Sequence, residues 1–517
     1  MKRILTIGML AFAFVPCVSL FADTHYVVPA GTAGNIPSAP YTSWATAANS
    51  IADALDATTA GDTVLVQKGT YNFTARYAMT KDKHHGTTIR SYDPDNGGAI
   101  NSEETIIDGS AVDPVASPVW NSPGGVVFAH WDSANGPIVD GFTFRNSRSG
   151  AMKFVYVQNS KILNCRFLNN TNNFEGGAVC NYAADKTVVS NCLFVGNSAT
   201  GKYGGACFMR INSTDSSYRT KVLDCIFMDN ESNLGGAIYS YGHCDVSRCV
   251  FNGNTGLVTG GGAIAMQPDF VVSDCTFTGK TEAQGSHYGH AIYIGQGSDG
   301  DIISNCMFTN LAVQGSYSVA AYGLIDIYNA NLTMENCTFQ KVTNCRRYLG
   351  LRSNTRTVKV RNCLFTDIEN SATVVFANSG DSTGTMSFEN CTIYAPEKNI
   401  MEGASGKESH VEFANCILSC ARPTTVDKHV RTVTNCYVGG DPRFVDASAG
   451  DFRLLRRSPC RDQGNLLDWM TAASVDLLGN PRVVTDGRTL AQDPSALPDL
   501  GCYEFQDAPL GFILSFQ

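Results

Sequence analysis

Between residues 164 and 437 one short pattern of apolar and polar positions returns eleven times. An apolar residue stands three places before a cysteine, a polar residue directly before it, and in most copies a phenylalanine two places after it. The cysteines are Cys165, Cys192, Cys225, Cys249, Cys275, Cys306, Cys337, Cys363, Cys391, Cys416 and Cys436, spaced 20–33 residues apart. The residue before the cysteine is Asn in most copies, Asp at Asp224 and Asp274, and Arg at Arg248. Cysteine and phenylalanine two apart share one face of a strand. The apolar residue three before the cysteine has the wrong parity for that strand, so a corner must lie between them. Asn and Asp tolerate the left-handed backbone of such a corner. Helical spacings of three and four are missing from these segments.

A fixed period of this length predicts stacked units that bury their apolar faces only against one another. The expected fold is all-β: a single-stranded right-handed parallel β-helix of about 12–14 coils, rising about 4.8 Å per coil. Phe142 and Phe144 in Val-Asp-Gly-Phe-Thr-Phe read as one further coil, with earlier ones at Ile106-Ile107 and Thr63–Val66. Paired glycines form a second motif, in Gly176-Gly177-Ala178-Val179, Gly204-Gly205-Ala206-Cys207, Gly235-Gly236-Ala237-Ile238 and Gly261-Gly262-Ala263-Ile264. Each follows a Phe-x-x-Asn segment ending at Asn170, Asn197, Asn230 or Asn254. Glycine permits a tight positive-φ turn into the next strand.

The Phe-x-x-Asn and Gly-Gly-Ala-Ile pairing over about residues 165–295 resembles the repeats of polymorphic outer membrane proteins. With the Asn-Cys-x-Phe coils, most of the chain is similar to extracellular right-handed parallel β-helix (pectin-lyase-like) proteins. That resemblance implies a secreted or surface protein acting on or binding polysaccharide. Asp441-Pro442-Arg443-Phe444, Gly479-Asn480-Pro481-Arg482 and Leu500-Gly501-Cys502-Tyr503 resemble the tail of bacterial secreted β-helix proteins.

The ends give the domain plan. Residues 1–22 read as a secretory signal peptide, a basic start followed by an apolar run to Ala22. Residues 23–60 read as an N-terminal cap with a helix over Trp44–Thr58 and Ser43 as its N-cap. The β-helix then occupies 61–440 and a C-terminal cap 441–517. Once the leader is removed no segment is long enough to span a bilayer as a helix. The expected location is secreted or cell-surface, and the expected state is a monomer.

Nineteen cysteines in an exported chain would ordinarily suggest a disulfide framework. Their columnar spacing suggests interior filling by free thiols, with Cys460–Cys502 the better disulfide candidate. A net charge of −9 argues against nucleic acid as a partner. It does not favour an anionic polysaccharide either, unless a local basic patch overrides it. No residue set supports a metal or other cofactor, calcium included; His84-His85 and His287-x-x-His290 read as loop residues.

Function must lie outward. Counted from the Gly-Gly-Ala motif, the outward ladder runs Lys153, Cys180, Phe208, Tyr239, Ala265, Tyr293, Asp326, Arg352. Exposed Phe208, Tyr239 and Tyr293 would stack on sugar rings of a polysaccharide or host-surface glycan. That makes a non-catalytic, adhesin-like glycan binder the leading expectation. The alternative is a polysaccharide lyase or glycoside hydrolase on an acidic polysaccharide, with Asp326, Arg352 and Arg346 as catalytic candidates beside Arg347, Arg356, Lys359 and Arg361.

Overall fold

The computed structural model describes residues 22–506 apart from single positions and several loops, the longest being 115–126, 284–288, 315–322, 367–372, 378–383, 404–409, 423–429 and 490–496. Residues 1–21, within the expected signal peptide, lie outside the described residues, as do His287 and Arg346. The chain winds as a right-handed parallel β-helix. A fifteen-stranded sheet takes one short strand from each coil, from Thr24–Val27 to Val430–Thr434. We call it face one. Face two follows the cysteine corner, as in Leu193–Val195, and face three follows the paired glycines, as in Cys207–Arg210. Every pairing between coils is parallel, and Phe144 lies opposite Phe167, so the Phe142–Phe144 coil is real.

The corner residue is left-handed in all eleven copies, with φ between 50° and 55° from Asn164 to Asn435. Even Arg248 adopts it, held by its guanidinium on Asp224 at 2.6 Å. After the corner, cysteine and phenylalanine point inward. From Phe167 to Phe365 the rings stack at centroid separations of 4.6–5.1 Å and tilts of 2–10°. The cysteines fill the column beside them. Eighteen are described and all are free thiols, Cys460 and Cys502 among them. The Cys165 amide N–H donates to Cys192 Sγ at 3.4 Å, and the Cys192 thiol donates to the Ser190 carbonyl at 3.2 Å.

The asparagine of Phe-x-x-Asn forms a second, wholly buried column. The Asn170 side chain donates to the Phe144 carbonyl and to Asn197 Oδ1, both at 3.0 Å. Asn197 Oδ1 also accepts the Asn170 main-chain N–H at 3.1 Å. Asn197 and Asn230 repeat the arrangement, and Asn254 ends the column, accepting from Asn230 and donating to the Phe227 carbonyl. Each amide therefore satisfies donors and acceptors of two neighbouring coils and ties them in register.

The paired glycines serve two different needs. The first sits at φ 64–70° in each of the four motifs. The second packs against the coil above, where a Cβ on Gly177, Gly205 or Gly236 would come within 2.0–2.1 Å of a carbonyl oxygen.

Both ends depart from expectation. The N-terminal region holds a one-turn 3₁₀ helix at Trp44–Thr46, capped by Ser43, and a separate α-helix at Ile51–Ala57, capped by Ser50. They are interrupted because Ala48 uses its backbone on the first strand, with Val28 N–H to its carbonyl at 2.9 Å. At the other end, residues 441–506 brace the flank of face two. Phe444, Phe452, Leu454 and Leu500 pack on Leu364 and Ile417. The corner asparagines Asn362, Asn390, Asn415 and Asn435 donate to carbonyls of this segment at 2.6–3.2 Å.

Replacing Asn197 by Ala unpairs several buried groups and should lower stability by roughly 2–5 kcal/mol. Asn191→Gly at the exposed corner should change it by less than about 1 kcal/mol. Denaturant melts of the two variants check this, and equal effects would remove the buried column's special role.

Candidate functional site

The outward ladder of face three has the expected order as far as Asp326. Strand registers place Lys153, Cys180, Phe208, Tyr239, Ala265, Tyr293 and Asp326 in one row. The next member is Gly350; Arg352 pairs with Tyr328, two residues further along. The Asp326–Arg352 pair is therefore a misregistration, introduced where the Gly-Gly-Ala motif no longer marks the strand start. Asp326 is itself fully buried. The basic run disperses as well: Arg347 is buried, Arg361 pairs with Glu389 at 2.8 Å, and Lys359 lies on face one. Arg346, outside the described residues, joins no site here.

Nor does the aromatic ladder stand open to solvent. Loops entering the paired glycines form their own parallel stack, Ser198–Tyr203, Glu231–Leu234 and Thr255–Gly260, folded over the ladder. Tyr203 stacks on Tyr239 at 4.7 Å, and Tyr239 lies parallel to Phe208 at 5.6 Å. Phe208 and Tyr239 retain 3% and 7% exposure. With Cys180, Leu234 and Ala265 they form a second apolar cluster outside the main core. Tyr293, at its edge, is half-buried.

Two residues along each strand, a second row runs out from under this cover: Tyr182 still belongs to the apolar cluster, at 9% exposure, while Tyr241 stands open. Tyr182, Arg210 and Tyr241 lie on successive coils. The Arg210 guanidinium sits 4.6 Å from the Tyr182 ring and 5.7 Å from the Tyr241 ring, and it donates to the Tyr182 hydroxyl. Tyr241 is 47% exposed, and Tyr156, at a positive-φ bulge of the Met152–Val157 strand on the coil preceding Tyr182, is 38% exposed. Tyr328, three coils further on, holds the same strand position at 43% exposure but lies apart from this group. The grouped residues form a shelf of ring faces and edges around one cation.

Under the shelf lies a carboxyl group that sequence reasoning missed. Glu175 occupies the position before the paired glycines that Tyr203 and Leu234 fill on the next two coils. It is 7% exposed, and its Oε2 has no hydrogen-bond partner. Burial lifts its pKa above the ordinary glutamate range, while Lys202, Lys153 and Arg210 pull the other way. Lys153 is itself buried on the ladder, whereas Lys202 is exposed, reaching over Phe174 at 5.1 Å and Tyr203 at 5.8 Å. Burial pushes the neighbouring Cys180 thiol up to about 12. A charged residue in a column otherwise apolar was the readable sign.

His84 is buried, its Nδ1 accepting the Thr80 N–H at 2.8 Å, which corrects its reading as a loop side chain.

Residues 261–418 match the family model described as the right handed beta helix region. A metabotropic glutamate receptor-like protein of Dictyostelium discoideum is 28% identical over 227 residues, covering 43% of this chain but 13% of that protein. Among solved structures, the catalytic unit of an α-1,3-glucanase from Streptomyces thermodiastaticus aligns with a TM-score of 0.41 at 14% identity, over 75% of this chain and 65% of that one. A pectate lyase aligns at 0.30 and 13%, over 94% and 96% of the two chains. A surface adhesin of Streptococcus pneumoniae aligns at 0.32 and 10%, over 70% and 86%. Likeness at this level leaves function to the site itself.

Because folding raises the Glu175 pKa, the native state holds more protons just above the ordinary value of 4.5, and stability falls as pH rises through the raised value. Glu175→Gln should remove that loss. Its advantage over the parent should grow as pH rises from about 4.5 toward neutrality. Melts across this range check it, and a pH-independent difference would contradict it.

Proposed function

We propose that this right-handed, pectin-lyase-like parallel β-helix is exported to the cell surface or medium and binds glycan chains there as a monomer, without turning them over. No helix among the described residues is long and apolar enough to cross a membrane. The observation that carries this reading is the Tyr182–Arg210–Tyr241 row with Tyr156 beside it. Tyr156 and Tyr241 both lie outside the loop cover, and coils rise about 4.8 Å each, so rings two or three coils apart suit successive units of one sugar chain. Arg210 is held between two rings, which lowers the cost of ordering its long side chain on binding. Half-buried Tyr293 offers an edge on the same face. Phe208 and Tyr239 support the shelf from beneath and act through packing.

The lyase or hydrolase alternative rests on less. Its candidate pair is split by the strand register, and Asp326 is fully buried.

Tyr241→Ala and Tyr156→Ala should each weaken glycan binding about three- to tenfold with unchanged melting temperature. Phe208→Leu should lower the melting temperature instead. A glycan array followed by calorimetry on the hits tests the reading; unchanged affinity in both tyrosine variants would reject it.

A further inference from the structure

The charge beneath the shelf bears on the kind of glycan. A chain of net charge −9 gathers three cations, Lys153, Lys202 and Arg210, around the single carboxyl of Glu175. Two of the four groups are more than nine-tenths buried, Lys153 at 5% and Glu175 at 7% exposure. In such surroundings screening is weak and an excess positive charge is felt at the surface above it. Glu175 Oε2 meets no donor, so neither exposed Lys202 nor Arg210 is tied to that atom. Among the described residues, the other groups facing Glu175 are uncharged at neutral pH: Cys180, Tyr182 and Tyr239.

We infer that the shelf selects an anionic sugar, whose carboxylate or sulfate is taken by Arg210 and Lys202 while its ring lies on Tyr241 or Tyr156. Lys153 sits below and holds the local potential positive. Glu175 sets the pH response. When ionised it cancels one of the three cations; when protonated it leaves them to the ligand. Anion binding and protonation of Glu175 therefore favour one another by linkage. The inference rests on the glycan-binding reading and adds the ligand's charge and a pH dependence of known sign.

The test is calorimetric titration of the full chain with oligogalacturonate, a heparin-derived hexasaccharide and neutral maltohexaose, at about pH 5 and about pH 8. The two acidic probes separate carboxylate from sulfate as the recognised group. Either acidic probe should bind on the order of tenfold more tightly than the neutral one, and the gap should shrink with added salt. Affinity for the acidic probe should rise on going from pH 8 to pH 5. Glu175→Gln should abolish that rise, giving the tighter value at both. Lys202→Met, at an exposed position, should weaken acidic binding alone, which covers the case in which Glu175→Gln fails to fold.

Equal affinity for acidic and neutral probes, or a pH profile unaltered by Glu175→Gln, would overturn the inference. Neutral binding still lost in Tyr241→Ala would then leave the shelf itself standing. No binding of any probe would remove both.

Discussion

The structure depends on keeping like over like. A coil of this chain cannot bury its own apolar side chains, and a slip of one residue would turn each strand inside out. The column Asn170, Asn197, Asn230 and Asn254 opposes such a slip, because each amide bridges main-chain and side-chain groups of its neighbours inside the core. Phenylalanine stacking and thiol filling then follow from position. They supply apolar burial, while the asparagines make the register costly to lose.

Register also decides what can face outward. Inward columns are fully committed, and face three is largely roofed by the loops that lead into the paired glycines. The roof consists of Tyr203 and Leu234 wherever the loop supplies an apolar residue, and it stops at Glu175. Beside this transition from apolar cover to buried carboxyl, Arg210 bridges buried Tyr182 and exposed Tyr241. The row lies on the regular coils themselves, so its residues are carried on a rigid scaffold.

Much of this was legible in the chain. The cysteine–phenylalanine spacing, the left-handed Asn corner and the Gly-Gly turn each have a local physical cause, and each appears as written. Their partners in space were not legible. Asn170 and its equivalents look like turn residues until the stack shows them bridging coils. The 441–506 segment looked like an end cap, but its apolar residues meet Leu364 and Ile417 on the flank. The ladder order was readable while the glycine motif marked each strand. Once it was lost, counting placed Arg352 beside Asp326 where Gly350 stands. Loop cover could not be counted at all, since the loops vary in length, and this is why Phe208 and Tyr239 seemed available.

The central claim is that the inward columns are closed to ligands and the Tyr–Arg shelf is open to them. Hydroxyl-radical footprinting read by mass spectrometry, with and without bound oligosaccharide, addresses it most directly. The account predicts oxidation of Tyr156, Tyr241 and Tyr328 in the free protein and almost none along the phenylalanine column or at Phe208 and Tyr239. It predicts protection of Tyr156 and Tyr241 once the sugar is added. Ready oxidation of Phe208 and Tyr239, or sugar protection that falls elsewhere and spares Tyr241, would contradict it.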